Sequence, residues 1–193
     1  MRVLMVFCHP RADSFSAALR DTALEALRAR GHEVELRDLY AEGFNPVLSA
    51  EERGVYNDES ANQAGIEHEI AQLRRADALL LVYPTWWYGM PAMLKGWFDR
   101  VWVPGVTFTF SDGAIQPALR NIKRMGVVTT YGSPLWLLLF LLWPDRRVLA
   151  GGVRRLCAKG CPVDWLYLTR MDTRGAADRT RFLAKVKARL SAW

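Results

Sequence analysis

The chain has 193 residues, about the length of one α/β domain, and its 51% hydrophobic and 24% charged residues exclude a disordered or low-complexity chain. The net charge of +6 is unevenly placed: residues 144–193 hold 12 Lys/Arg against 4 Asp/Glu, whereas residues 1–143 hold 14 against 16. Three cysteines cannot all pair within one chain, so a reducing cytoplasm is the expected compartment.

Arg2–Phe7, RVLMVF, predicts a first strand, and His9-Pro10-Arg11 cuts the apolar stretch too short for a secretory leader. Asp13 or Ser14 then caps a helix reaching about Arg30, with Leu19, Ala23, Ala26 and Leu27 on one face and Gly31 as its stop. Val34 and Leu36 alternate with charged residues, the pattern of an edge strand. Residues 39–61 read as a long connection with a short helix from Ser49, and residues 62–75 as a second helix. Ala78–Tyr83 is continuously apolar, as in a parallel strand covered on both faces. Met93, Leu94, Trp97, Phe98 and Val101 recur at helical spacing, with Pro91 tolerated in a first turn. Thr107–Phe110 is a short alternating piece with a turn at Ser111-Asp112-Gly113. Arg124–Thr130 and Val163–Thr169 predict the fourth and fifth strands, and Ala176–Leu190 a closing helix.

Strands alternating with helices predict one α/β domain over residues 1–193, a three-layer sandwich around a five-stranded parallel sheet. Five strands at this length favour the flavodoxin-like order 2-1-3-4-5. No G-x-G-x-x-G follows the first strand, so the usual dinucleotide fingerprint is absent. Such sheets bind ligands beyond the carboxyl ends of their strands, and three loops there carry chemistry. Pro84-Thr85-Trp86-Trp87-Tyr88-Gly89 suits a planar ring system, although its three aromatics also fit core or dimer contacts. The first loop offers His9, Arg11, Ser14 and Ser16 beside a helix N-terminus that favours phosphate, although Ser14 also fits a plain helix cap. Thr129-Thr130-Tyr131-Gly132 would let backbone approach a ligand closely. Cys157-x3-Cys161 lacks a second ligand pair, so no metal is expected. No nucleic-acid module accompanies the arginine-rich end, so nucleic acid is not an expected partner.

Four motifs together resemble the flavin-dependent NAD(P)H:quinone oxidoreductases. They are His9-x4-Ser14-Phe15-Ser16, Asp38-Leu39-Tyr40 followed by Phe44-Asn45-Pro46, the block Pro84-x2-Trp87-Tyr88-Gly89-x-Pro91-Ala92-x-Leu94-Lys95-Gly96-Trp97-Phe98-Asp99-Arg100-Val101, and Thr129-Thr130-x-Gly132. The resemblance covers roughly residues 1–133 and implies FAD, with FMN as the alternative flavin, and NAD(P)H as co-substrate. It also implies a homodimer and two-electron quinone reduction in a ping-pong cycle through flavin N5. By that resemblance His9, Phe15 and Ser16 border the FAD diphosphate and its sugar. Thr85, Trp86, Trp87 and Tyr88 hold the isoalloxazine through main-chain N–H groups, Pro84 before them also borders the cofactor, and Thr129, Thr130, Tyr131 and Gly132 line the other side. Trp87 and Tyr88, with Phe108 and Phe110 reaching across from a partner copy, would meet the substrate. The chain departs from the pattern where Tyr131 replaces a glycine. It also lacks the downstream Tyr and His proposed in larger members to stabilise charge on the reduced ring, so no catalytic acid or base is assigned.

Two other readings share this fold: a flavin-binding accessory subunit of a membrane ion-efflux system, and an FMN-dependent azo- or nitroreductase. Leu135–Trp143 is wholly apolar but too short to span a bilayer, which takes about 20 helical residues. It reads as a buried lid or dimer element. With the cationic segment after it, the alternative is peripheral contact with the inner face of an anionic membrane.

Overall fold

In the computed structural model, which describes residues 1–111 and 113–193, strand β1 (Arg2–Phe7) leads through helix α1 (Phe15–Ala29) to β2 (Glu33–Asp38). A short α2 (Ala50–Gly54) and α3 (Glu67–Arg75) precede β3 (Ala78–Pro84) and α4 (Ala92–Val101). A hairpin of β4 (Phe108–Ser111) and β5 (Ala114–Pro117) follows, then β6 (Arg124–Thr130). Helices α5 (Leu135–Phe140) and α6 (Pro144–Arg146) continue into a π-helical turn, Arg147–Gly152, and a 3-10 turn, Val153–Leu156. Strand β7 (Val163–Leu168), a 3-10 turn (Met171–Thr173) and α7 (Ala176–Leu190) complete the chain.

Five strands form one parallel sheet in the order β2-β1-β3-β6-β7, which is the expected 2-1-3-4-5 once the separate hairpin is set aside. The period-two alternation of β1 sorts its side chains between two cores. Val3, Met5 and Phe7 pack with Ala23 and Leu27 of α1 and Phe182 and Val186 of α7, while Leu4 and Val6 pack with Leu73 of α3 and Leu94 and Trp97 of α4. Every residue of β3 is buried, which is why that strand reads as an unbroken apolar run.

Ser49 accepts the Glu52 N–H at 3.1 Å while Glu52 accepts the Ser49 N–H at 2.8 Å, a reciprocal cap that starts α2. The helix expected from Asn62 starts five residues later, at Glu67. Asn62 is buried, and its amide donates to the Tyr56 and Pro104 carbonyls at 2.9 and 3.0 Å. Those bonds pin the segment as turns, and Gly65 at φ +78° breaks it from α3. Thr107–Phe110 is one arm of an antiparallel hairpin whose second arm, β5, the sequence did not suggest. Of the expected turn, Ser111 belongs to β4 and Gly113 lies at φ +74°, while Asp112 lies outside the described residues.

Leu135–Trp143 is not uniformly buried. Leu138 and Trp143 anchor it, while Trp136, Leu139, Phe140 and Leu142 are 56–76% exposed. No helix among the described residues is long and apolar enough to cross a membrane. Cys8, Cys157 and Cys161 are all free and buried, and no group of His, Cys, Asp or Glu among the described residues is arranged to hold a metal.

Candidate functional site

The registers bring Phe7, Pro84, Thr130 and Leu168 to one edge of the sheet, so the loops after β1, β3, β6 and β7 emerge together. The strand order reverses there, between β1 and β3. The loops enclose a cleft of about 630 Å³, within the 300–1,000 Å³ usual for small-molecule sites.

The loop after β3 closes as a two-residue turn. The Trp86 N–H donates to the Gly89 carbonyl at 3.1 Å, and the Gly89 N–H donates to the Trp86 carbonyl at 3.0 Å. Trp87 and Tyr88, the central pair, sit at φ +50° and +61°. This turn geometry favours Asn-Gly, because left-handed backbone costs an L-residue roughly 1–2 kcal/mol. Two bulky aromatics held there store strain, a condition that concentrates at binding sites. Trp87 is 96% exposed, so core packing does not offset the strain. The N–H groups of Trp87 and Tyr88 find no acceptor among the described residues, whereas the Thr85 N–H is committed to the Thr130 carbonyl at 2.9 Å. Of the four amides expected to face a ligand, two are therefore free.

The loop after β1 contributes differently from its sequence reading. Ser14 spends its hydroxyl accepting the Ala17 N–H at 3.1 Å; it caps α1 and does not line the cleft, but Phe15 and Ser16 do. The first amides of α1 have no intrahelical acceptor. Arg11 is turned away into a bidentate pair with Asp13, at 3.0 and 2.7 Å. His9 lines the cleft with its ring 6.0 Å from that of Trp86. Its Nδ1 is engaged with the backbone of Arg11, at 3.0 Å from the amide nitrogen and 3.2 Å from the carbonyl, which leaves Nε2 for a ligand. Burial lowers its pKa from 6.5, so at neutral pH the ring is an uncharged hydrogen-bonding group.

Pro84, Thr85, Thr130, Tyr131 and Gly132 line the cleft. Thr129 does not: it is fully buried beneath, with its hydroxyl 2.8 Å from that of Thr85. Ser133, Met171 and Asp172 also line the cleft, although the sequence reading passed over the loop after β7. A Cβ at Gly132 would lie 2.8 Å from Asp172 Oδ2, the end of an exposed side chain, so a larger residue here would need Asp172 to swing aside. Phe108 and Phe110 lie outside this cleft on the hairpin, packed edge to face at 5.4 Å, with Phe110 60% exposed.

Beneath the cleft lies a carboxyl that no motif indicated. Asp145 is 3% exposed, and its Oδ2 accepts the Tyr131 hydroxyl at 2.7 Å, the Thr85 hydroxyl at 3.2 Å and the Tyr83 hydroxyl at 3.5 Å. Its Oδ1 accepts the Arg146 N–H at 2.8 Å, and the Trp143 indole donates to the Tyr131 hydroxyl at 2.8 Å. Burial is the largest influence on Asp145 and, against those donors, raises its pKa above 3.8.

A family profile described as flavodoxin-like fold matches residues 1–149. The chain belongs to that flavodoxin-like family. It is 32% identical over 180 residues to NAD(P)H dehydrogenase (quinone) 1 of Rattus norvegicus, covering 81% of this chain and 64% of that one. It is 38% identical over 138 residues to an NAD(P)H oxidoreductase of Haemophilus influenzae, covering 69% and 65%. Among solved structures, an NAD(P)H:quinone oxidoreductase from Methanothermobacter marburgensis superposes with a TM-score of 0.80 at 29% identity, over 99% of this chain and 94% of that one. The chain spans between 54% and 65% of the length of the first curated relatives it matches.

Proposed function

We propose that the chain is an NAD(P)H-dependent flavoprotein reductase that delivers a hydride to a quinone in a two-electron, ping-pong cycle. The observation that carries this reading is the strained Trp86–Gly89 turn, which holds two partnerless amides at the mouth of a cleft between the start of α1 and the loop after β6. The residues fit a flavin. Trp87 and Tyr88 offer N–H donors to the polar edge of the ring, where charge develops. Phe15, Ser16 and His9 offer amides and a neutral imidazole to a phosphate, with the α1 dipole behind them. Gly132 leaves room on the opposite side. A bound flavin supplies the hydride chemistry itself, and the protein supplies placement and electrostatics.

FAD is the proposed flavin and FMN the alternative. A second copy of the chain would complete the site: Phe110 and Ile115, about 60% exposed on the two hairpin arms, offer it an apolar surface beyond the cleft. The purified protein is expected to show a visible flavin band that bleaches with NAD(P)H under anaerobic conditions and returns with a quinone. The molecule released on denaturation decides between the two flavins. A colourless protein that takes up neither one overturns this reading.

We also place the chain in the cytoplasm, in peripheral contact with an anionic membrane. Trp136, Leu139, Phe140 and Leu142 form an exposed apolar face, and the exposed Arg146 and Arg147 follow directly in the chain. Flotation with anionic but not neutral vesicles is the expected result. Failure to float with either removes the membrane contact and leaves the reductase reading intact.

A further inference from the structure

Asp145 sits in a hydrogen-bond network whose direction is fixed. An indole N–H can only donate, so the Tyr131 hydroxyl accepts from Trp143 and sends its own proton to Asp145. The Thr85 hydroxyl lies between the Thr129 hydroxyl and the carboxylate, and an ionised carboxylate can only accept, so its proton also points to Asp145. Tyr83 supplies a third, longer contact and the Arg146 amide serves the other oxygen. Four donors thus surround the ionised carboxylate, yet no Lys or Arg side chain among the described residues pairs with it. The Arg146 guanidinium lies over the Trp143 ring, 5.2 Å from its centre. The titratable side chains that face Asp145 are Tyr83 from β3 and Tyr131 from the loop after β6. Burial, reinforced by the Asp145 charge, pushes both phenols up, so they stay protonated and remain donors. Asp145 is therefore the group of this network placed to change its charge.

Two of its donors, Thr85 and Tyr131, line the cleft, while Asp145 does not. We propose that Asp145 is a positioning residue that couples negative charge arriving in the cleft to uptake of one proton, through the hydroxyls of Thr85 and Tyr131. This inference rests on the reductase reading. The overall reaction, NAD(P)H plus quinone plus one proton giving NAD(P)+ plus quinol, draws that proton from solution. In the first half a hydride leaves the nicotinamide, NAD(P)+ departs, and the cleft is left one unit more negative. A solvent proton then converts the Asp145 carboxylate to the acid. In the second half the hydride bonds to the quinone, leaving one oxygen as an anion. That oxygen takes up the proton that Asp145 releases, and the carboxylate is restored.

The test compares the flavin-loaded protein with Asp145→Asn and Tyr131→Phe, reading two quantities that turnover alone does not report. One is proton uptake on anaerobic reduction, followed with an indicator dye in weak buffer. The other is the slope of the two-electron midpoint potential against pH. Above the ordinary aspartate range the native protein is expected to take up one more proton per flavin than Asp145→Asn. Its potential should fall more steeply by about 30 mV per pH unit, the two-electron equivalent of a tenfold change in equilibrium constant. Tyr131→Phe removes a donor to the carboxylate, so the same extra proton should appear in a window shifted to higher pH. That variant also provides the test if Asp145→Asn does not fold. Equal uptake and parallel slopes in proteins that hold flavin overturn the role of Asp145 and leave the reductase reading standing. A protein that takes up no flavin overturns both.

Discussion

Replacing Gly96 by alanine is expected to lower the stability of the fold by about 2 kcal/mol or more, although alanine is the better helix former. An alanine Cβ at position 96 would lie 2.2 Å from the Pro46 carbonyl oxygen, 2.4 Å from Pro46 Cβ and 2.5 Å from Pro46 Cα. Those are backbone and ring atoms, so no flexible chain end can swing aside. α4 cannot retreat either, because Leu94, Trp97 and Val101 are buried against the sheet on either side of position 96 in sequence. Overpacking of this kind costs roughly 1–3 kcal/mol and occasionally more, and an overlap with backbone belongs at the upper end. The intrinsic gain from Gly to Ala in a helix, about 0.8–1 kcal/mol, offsets only part of it. At roughly 2–4 °C per kcal/mol for a chain of this size, the thermal midpoint should drop by about 4–8 °C or more. Lys95→Ala is the control. It removes an exposed i,i+4 pair with Asp99, worth about 0.3–0.5 kcal/mol, and should leave the midpoint nearly unchanged. A Gly96→Ala midpoint equal to the native one would show that the Pro46 loop does not rest on α4. It would also remove the physical link between Phe44-Asn45-Pro46 and Lys95-Gly96-Trp97, motifs about 50 residues apart in sequence.

That link illustrates what the sequence can carry. The order of the sheet was readable because each parallel strand is separated from the next by a helical pattern, and because β3 is apolar at every position. The α2 cap was readable because both partners, Ser49 and Glu52, lie within one turn. Asp145 was not readable. Its network joins Tyr83, Thr85 and Tyr131, between 14 and 62 residues away, and in sequence it is one acid in an arginine-rich stretch. The start of α3 was misplaced for the same reason, since Asn62 is held by the Pro104 carbonyl 42 residues away. Among the site residues, composition pointed to the right loops and could not divide the labour within them. Ser14 and Ser16 are equivalent as text; only the helix start decides that one caps α1 and the other lines the cleft. Thr129 and Thr130 are neighbours in β6, and strand alternation sends one hydroxyl into the buried network and brings the other to the cleft. The positive φ of Trp87 and Tyr88 contradicts their local preference, and such a conflict is what a functional site leaves in an otherwise consistent sequence.

The second large effect follows from that conflict and has opposite signs for stability and function. Trp87→Gly should make the flavin-free protein more stable by about 1 kcal/mol while weakening flavin binding at least tenfold. Glycine adopts the left-handed region without steric cost, so the substitution relieves roughly 1–2 kcal/mol of strain. Part of that gain is returned as unfolded-state entropy. Little packing is lost, since Trp87 is 96% exposed. The loss falls on the bound state. An aromatic contact with a planar ring contributes about 0.5–1.5 kcal/mol beyond area burial, and the buried indole surface adds more at about 25 cal/mol per Å². Each 1.4 kcal/mol is a factor of ten in affinity. Melting curves with and without flavin separate the two effects. A ligand at 100 times its dissociation constant stabilises the native state by about 2.7 kcal/mol, and a tenfold weaker site loses about half of that shift. The native protein should therefore melt lower without flavin and higher with it, and the variant should reverse that ranking. If flavin raises the midpoint of the variant as far as it raises that of the native protein, Trp87 contributes nothing to the bound ring. The strain at this turn would then serve to aim the Trp87 and Tyr88 amides, which a glycine at position 87 leaves in place.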